Sequence, residues 1–244
     1  MKLQKIIDII ESIAPTEAAC EWDNVGLMIG DVNSDIKSIV ISLDFDENSL
    51  KTAIKHNANL ILTHHPAIFK PLDRITDNLI IETIKNGINV YSAHTNFDCA
   101  IGGVNYALAD KLEMYNCEQF GMMRVGKIDE DLLKNVIERT KKALSTKGVR
   151  FVGDLNRKIR KIAVLGGSGG DFIEEAFSLG CDLLVTGECK YNQAQLAHNI
   201  GLCIVEAGHF ETEYPAMKNL ADALRKRIDI DVIETQPNNV FKTI

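Results

Sequence analysis

The sequence predicts an α/β fold of two related lobes with mainly parallel sheets, and three observations predict it. Apolar strand-like runs alternate with helical periodicity along most of the chain, the pattern of parallel sheets covered on both faces. A strand–helix–strand unit occurs twice at a constant spacing. Polar residues capable of chemistry fall just beyond the strand ends, where open α/β sheets gather their ligands. At 244 residues the chain exceeds the usual one-domain size, so one large domain or two compact lobes is expected.

Taken in order, Leu3, Ile6, Ile7, Ile10 and Ile13 recur at helical spacing and predict an amphipathic opening helix. Asp8 and Glu11 interrupt it, so it is no signal-peptide core, and no apolar run approaches the ~18 residues that span a bilayer. The expected location is cytoplasmic, with no membrane association. Residues 38–66 read as strand Ser38–Leu43, helix Asn48–Lys55 and strand Asn59–Thr63. Residues 161–190 read alike, as strand Lys161–Leu165, helix Asp171–Ser178 and strand Asp182–Thr186, at an offset of 123. The next strands align at 115, Asn89–His94 on Ile204–His209. In each copy an acid follows the histidine by four, Asp98 or Glu213. Two copies, each longer than a solenoid unit, indicate a duplicated lobe rather than an array. Between them lie a helical stretch, Glu130–Leu144, and a strand around Val149–Asp154, and Ile230–Glu234 is the last strand. The expected lobes are residues 1–120 and 121–244, with no proline- or serine-rich linker to separate them.

The formal net charge of -7 argues weakly against a dedicated nucleic-acid binder, but its distribution is uneven. Residues 121–161 hold 12 Lys and Arg against 5 Asp and Glu, so this segment is +7 and the remainder is -14. Such a segment reads either as an anion-binding surface or as a solvated helix face with a basic loop. Six cysteines without CxxC spacing read as reduced, packed thiols, which excludes a disulfide frame or a zinc ribbon. Of these only Cys99 adjoins a candidate site residue.

Four of the six histidines, at 64, 65, 94 and 209, follow apolar strand-like runs. Adjacent residues leaving a strand point different ways, so His64 and His65 can serve two ions, or one ion and a base. With Asp98 and Glu213 they form a nitrogen and carboxylate donor set, which favours zinc, iron, manganese or nickel over a thiolate site. Because proline is tolerated only in the first helical turn, Pro215 predicts a helix starting near Glu211–Tyr214, with His209 and Glu213 bracketing that turn. Glu211 competes with Glu213 on spacing alone. Gly166–Gly170 follows a strand and opens a helix, so it serves either a phosphate or close strand–helix packing. Trp22 reads by default as a packed anchor, with Asp23 or Asn24 beside it as residues that can face a cleft. There is no G-x-S-x-G elbow, no P-loop and no His-Glu-x-x-His.

Several motifs occur in order: Glu21-Trp22-Asp23-Asn24-Val25-Gly26-Leu27, Thr63-His64-His65-Pro66, His94-Thr95-Asn96-Phe97-Asp98 with Gly102-Gly103-Val104-Asn105, Gly166-Gly167-Ser168-Gly169, Thr186-Gly187-Glu188, and Gly208-His209 with Glu213. From about residue 2 to the C-terminus the chain therefore resembles the NIF-three-like family, the GTP cyclohydrolase type two homologues. The resemblance implies two related lobes, a dinuclear metal centre between them and a toroidal homohexamer. It implies His64, His65, Asp98, His209 and Glu213 as metal ligands, with Glu213 as the bridge and His94 beside the metals. Some relatives carry an inserted domain in mid-chain for which this sequence has no room.

The function expected is a dinuclear-metal-dependent hydrolase acting on a nucleotide or related small molecule, in the manner of a GTP cyclohydrolase, with His94 or Glu188 moving protons. The rival is a nucleic-acid-binding ring, its +7 segment facing inward, or a metal-binding adaptor in which the metal is structural or regulatory.

Overall fold

The computed structural model describes residues 1–242. Among these the chain forms two compact units, one of Met1–Gly103 and Met217–Asn238, the other of Val104–Ala216 and the residues from Asn239. No helix among them is long and apolar enough to cross a membrane.

The first unit opens with α1 (Leu3–Ile13), which buries Leu3, Ile6, Ile7 and Ile10, as its periodicity predicts. Then come β1 (Gly26–Ile29), β2 (Ser38–Ser42), α2 (Glu47–Lys55), β3 (Leu60–Thr63), α3 (Asn78–Lys85), β4 (Asn89–Ser92) and the short α4 (Thr95–Cys99). Helix α2 starts where it does because Asp46 and Ser49 cap each other reciprocally, at 2.7 and 3.0 Å. Strand β3 is buried along its whole length, which explains its unbroken apolar run, Leu60-Ile61-Leu62.

The second unit contains α5 (Val104–Lys111), β5 (Tyr115–Phe120), β6 (Met123–Leu132), α6 (Leu133–Leu144), β7 (Arg150–Val152), β8 (Lys158–Leu165), α7 (Ile173–Ser178), β9 (Leu183–Thr186), α8 (Tyr191–Ile200) and β10 (Cys203–Glu206). Its helices cover both faces of the sheet, giving two buried clusters around Ile162, Val164 and Val185, and around Ala163, Leu184 and Ile204. Helix α9 (His209–Arg225) begins in this unit and ends in the first, and the chain closes with β11 (Asp231–Glu234).

The first sheet has the order β1-β4-β3-β2-β11 and the second β5-β6-β8-β9-β10-β7. Both contain three successive parallel strands with an antiparallel strand beside the third, β2, β3, β4 and β1 in one and β8, β9, β10 and β7 in the other. Thr63 faces Ser92 in the first register and Thr186 faces Glu206 in the second. The amides of Ala93 and Ala207 then donate to the carbonyls of Thr63 and Thr186, at 2.9 and 2.8 Å.

Four expectations need correction. The second sheet is mixed rather than mainly parallel, because the antiparallel strands β5 and β6 extend it beyond β8. The units do not divide at 120: residues 104–120 belong with the second unit, and β11 pairs in parallel with β2 in the first. The third strands correspond at an offset of 114, not 115, since Gly208 (φ +97°) is an extra residue between Ala207 and His209. Finally, α9 starts at His209 and holds Pro215 in its interior, so the proline displaces one backbone hydrogen bond without setting the start. Part of the basic segment is paired: Lys158 with Glu130, Lys141 with Glu138, and Arg150 with Glu206.

Candidate metal centre

In the first unit β3 and β4 end side by side and deliver three imidazoles to one place. One ring nitrogen from each of His64, His65 and His94 lies within 4.8 Å of the others. Every Nδ1 has an acceptor: the Ala93 carbonyl for His64 (2.9 Å), Asp44 for His65 (2.7 Å) and Asp23 for His94 (2.8 Å). An oxygen that can only accept requires Nδ1 to carry the proton, so each neutral ring has its lone pair on Nε2. Metal-ligating histidines use this arrangement, the far nitrogen held by a carboxylate or carbonyl. Burial by itself would raise the Asp23 carboxyl, but hydrogen bonds from His94 and from the Thr95 hydroxyl and amide outweigh it and lower the pKa to about 2. Asp23 is therefore an anion near neutral pH. Asp98, on α4, brings an oxygen to 3.6 Å from His64 Nε2.

In the second unit the first turn of α9 places His209 Nε2 3.1 Å from a Glu213 oxygen, the i, i+4 spacing of one helix face. Glu188, after β9, stands 3.1 Å from His209 Nδ1. Both ring nitrogens of His209 thus face carboxylates. Glu213 is 3% exposed, whereas Glu211 accepts from Asn239 at 2.9 Å. A cleft of about 590 Å³ opens beside them, lined by Arg150, Ser168, Glu188, Lys190, His209 and Phe210 among others.

Three amides of the glycine loop are taken up by hydrogen bonds within the chain: those of Gly166, Gly167 and Gly169 donate to Asn105, Thr212 and Thr186, at 2.7, 3.1 and 3.0 Å. Gly167 has φ +61°, and a Cβ there would lie 2.1 Å from Glu213 Oε1 and 3.2 Å from His209 Nε2. Gly167→Ala is expected to cost about 1–2 kcal/mol through the left-handed backbone alone and to push Glu213 out of line. Thermal unfolding and metal content should both fall, and an unchanged metal content would show that Glu213 does not need this close approach.

The expected site residues thus form two sets. His64, His65, His94 and Asp98 meet in the first unit, and His209, Glu213 and Glu188 in the second. Asp44 and Asn105 as orienting partners were not foreseen, and only the position of Asp44 just past β2 hinted at its role. Cys99 stays inert: burial first, then the neighbouring Asp98 and Cys20, push its thiol up to about 11. Trp22 is not the packed anchor expected of a lone tryptophan, since it is 60% exposed.

Comparison with known proteins follows the same lines. The family model for Duf34/NIF3 (NGG1p interacting factor 3) matches residues 1–239. A Clostridium perfringens protein named GTP cyclohydrolase 1 type 2 homolog is 40% identical, covering 95% of this chain and 94% of that one. Among solved structures, Staphylococcus aureus hypothetical protein SA1388 superposes with TM-score 0.94 at 26% identity, covering 100% of this chain and 99% of the other. Reduced HcgD from Methanocaldococcus jannaschii superposes with TM-score 0.86 at 31% identity, covering 96% and 98%.

Proposed function

We propose, from the premise that the chain belongs to the Duf34/NIF3 family, that it is a metal-dependent hydrolase of a nucleotide or a related small molecule. In this reading His64, His65, Asp98, His209 and Glu213 would hold two divalent ions. The observation that carries it is the trio of Nδ1-tethered histidines, in which His64 and His65 can offer Nε2 to a cation and His94 keeps its Nε2 beside them for a proton. The name of the Clostridium perfringens relative points to the purine ring of GTP as the bond attacked.

When bound, divalent ions lower the pKa of water toward neutrality and stabilise developing negative charge. The chain's own residues do the rest. His94, neutral at Nε2, accepts a proton from the attacking water, and the ionised Asp23 on its Nδ1 stabilises the imidazolium that results. That proton passes to the departing ring nitrogen as the carbon–nitrogen bond breaks. Glu188 holds the far side of His209 and lines the cleft. Elemental analysis of freshly purified protein, followed by assay of a panel of nucleotides, esters and amides, tests the proposal. Metal-loaded protein that turns over none of them would overturn it.

Two architectural readings belong to the same proposal. The shared strand order, and the shared step from strand end to histidine, support descent of the sheets from one duplicated unit. The toroidal hexamer is checked by light scattering on eluting protein, which should give six times the 27.1 kDa chain mass. A monomer at micromolar concentration would remove the ring.

A further inference from the structure

Trp22 is the only tryptophan of the chain, and Phe69 joins it at the surface, the two being 60% and 46% exposed. Their ring centroids lie 5.9 Å apart at 41°. Each also meets the imidazole of His94 edge-on, at 6.2 and 6.4 Å with interplanar angles of 76°. The backbone beneath them is pinned: Asp23 is bound to His94 and Thr95, the Cys20 amide donates to Thr95, and Asn24 donates to the Ile68 carbonyl. Two large aromatic faces are therefore held outward by a fixed frame, against the usual tendency to bury them.

Phe69 also lines a groove of about 400 Å³ whose other walls include Lys70, Leu72, Arg74 and Ile75. Among the described residues neither Lys70 nor Arg74 makes an ion pair. Asp77, in the same wall, is used in capping α3 through the Leu79 amide. Aromatic faces next to two cations suit a ligand with a flat ring and an anionic tail. A second copy of this chain would be matched instead by a continuous apolar patch.

We propose that Trp22 and Phe69 form the base-stacking subsite of this protein, taking the planar heteroaromatic ring of a nucleotide beside His94, with its phosphate toward Lys70 and Arg74. The subsite deepens the hydrolase reading above and rests on it for the identity of the reacting bond, but stacking itself needs no metal. Base–aromatic stacking beside cationic contacts to phosphate is the way single-stranded nucleic acid is held.

Because Trp22 is unique, its fluorescence reports this subsite alone. Chelator-treated protein, checked for its fold by circular dichroism, is titrated with GMP and, separately, with ribose 5-phosphate. Saturable quenching by GMP and none by ribose 5-phosphate is expected. Phe69→Ala should weaken GMP binding about tenfold, and a Lys70→Gln, Arg74→Gln double variant should weaken it and flatten its salt dependence. Absence of saturable quenching, or equal quenching in Phe69→Ala, overturns the subsite. So does a Trp22 emission that shifts with protein concentration alone, which would assign the patch to a second copy. The two readings fail separately. Quenching without turnover by the metal-loaded protein removes the hydrolase and leaves the subsite, while turnover with unchanged KM in Trp22→Ala removes the subsite and leaves the hydrolase.

Discussion

Glu213→Ala is expected to lose most of the bound metal while keeping its fold. The carboxylate is buried at 3% exposure on the first turn of α9, and its neighbours there are His209 Nε2 and the backbone of Gly167. Alanine is the best helix former, so the substitution does not break α9. It also removes the 2.1 Å constraint that makes Gly167 necessary. If Glu213 bridges two ions, one change takes a donor from both, and metal content by elemental analysis should fall from two per chain toward zero. Turnover, where an assay exists, should drop by several orders of magnitude with the metal. His209→Ala would take a donor from one ion only and should leave about half of the metal. Retention of both ions by Glu213→Ala would refute the bridge. Retention of one would make Glu213 an ordinary terminal ligand.

The parts of this protein that were legible in the sequence are those governed by local pattern. The strands at Ser38, Leu60 and Leu183 announce themselves because burial on both faces demands unbroken apolar runs. The histidines at 64, 65, 94 and 209 were conspicuous because they follow those runs directly. Strands β5 and β6 were not legible: Tyr115–Phe120 is mostly exposed and polar, so its pattern does not separate it from a loop. The one-residue shift at Gly208 was equally hidden, because sliding one apolar run over another by a single residue changes no composition. Pairing of β11 with β2 joins residues that are far apart in the chain, and no local signal records it.

At the site the same division holds. Ligand types were evident, but their partners were not. Asp23 and His94 are 71 residues apart, and nothing about either predicts that one fixes the tautomer of the other. Exposure of Trp22 runs against the residue's general tendency, which is why local pattern reads it as a packed anchor.

The two members of the histidine doublet should also fail differently when replaced. The side chain of His65 is 26% exposed, whereas His64 is fully buried. His64 Nδ1 donates to the Ala93 carbonyl, and its ring meets Phe97 at 6.3 Å. His64→Ala therefore leaves a cavity and a buried carbonyl without its donor, at a cost of about 2–4 kcal/mol. His65→Ala removes only a half-exposed contact to Asp44 and should cost less than about 1 kcal/mol. Both variants should lose metal affinity, because each supplies one Nε2 to the trio. In chelator-treated protein, where metal no longer contributes, urea unfolding should show His64→Ala well below the parent and His65→Ala close to it. In metal-loaded protein both should fall below the parent, since an ion that binds only the folded state adds stability in proportion to its affinity. Equal stability of the two variants without metal would mean that His64 has no structural role beyond ligation.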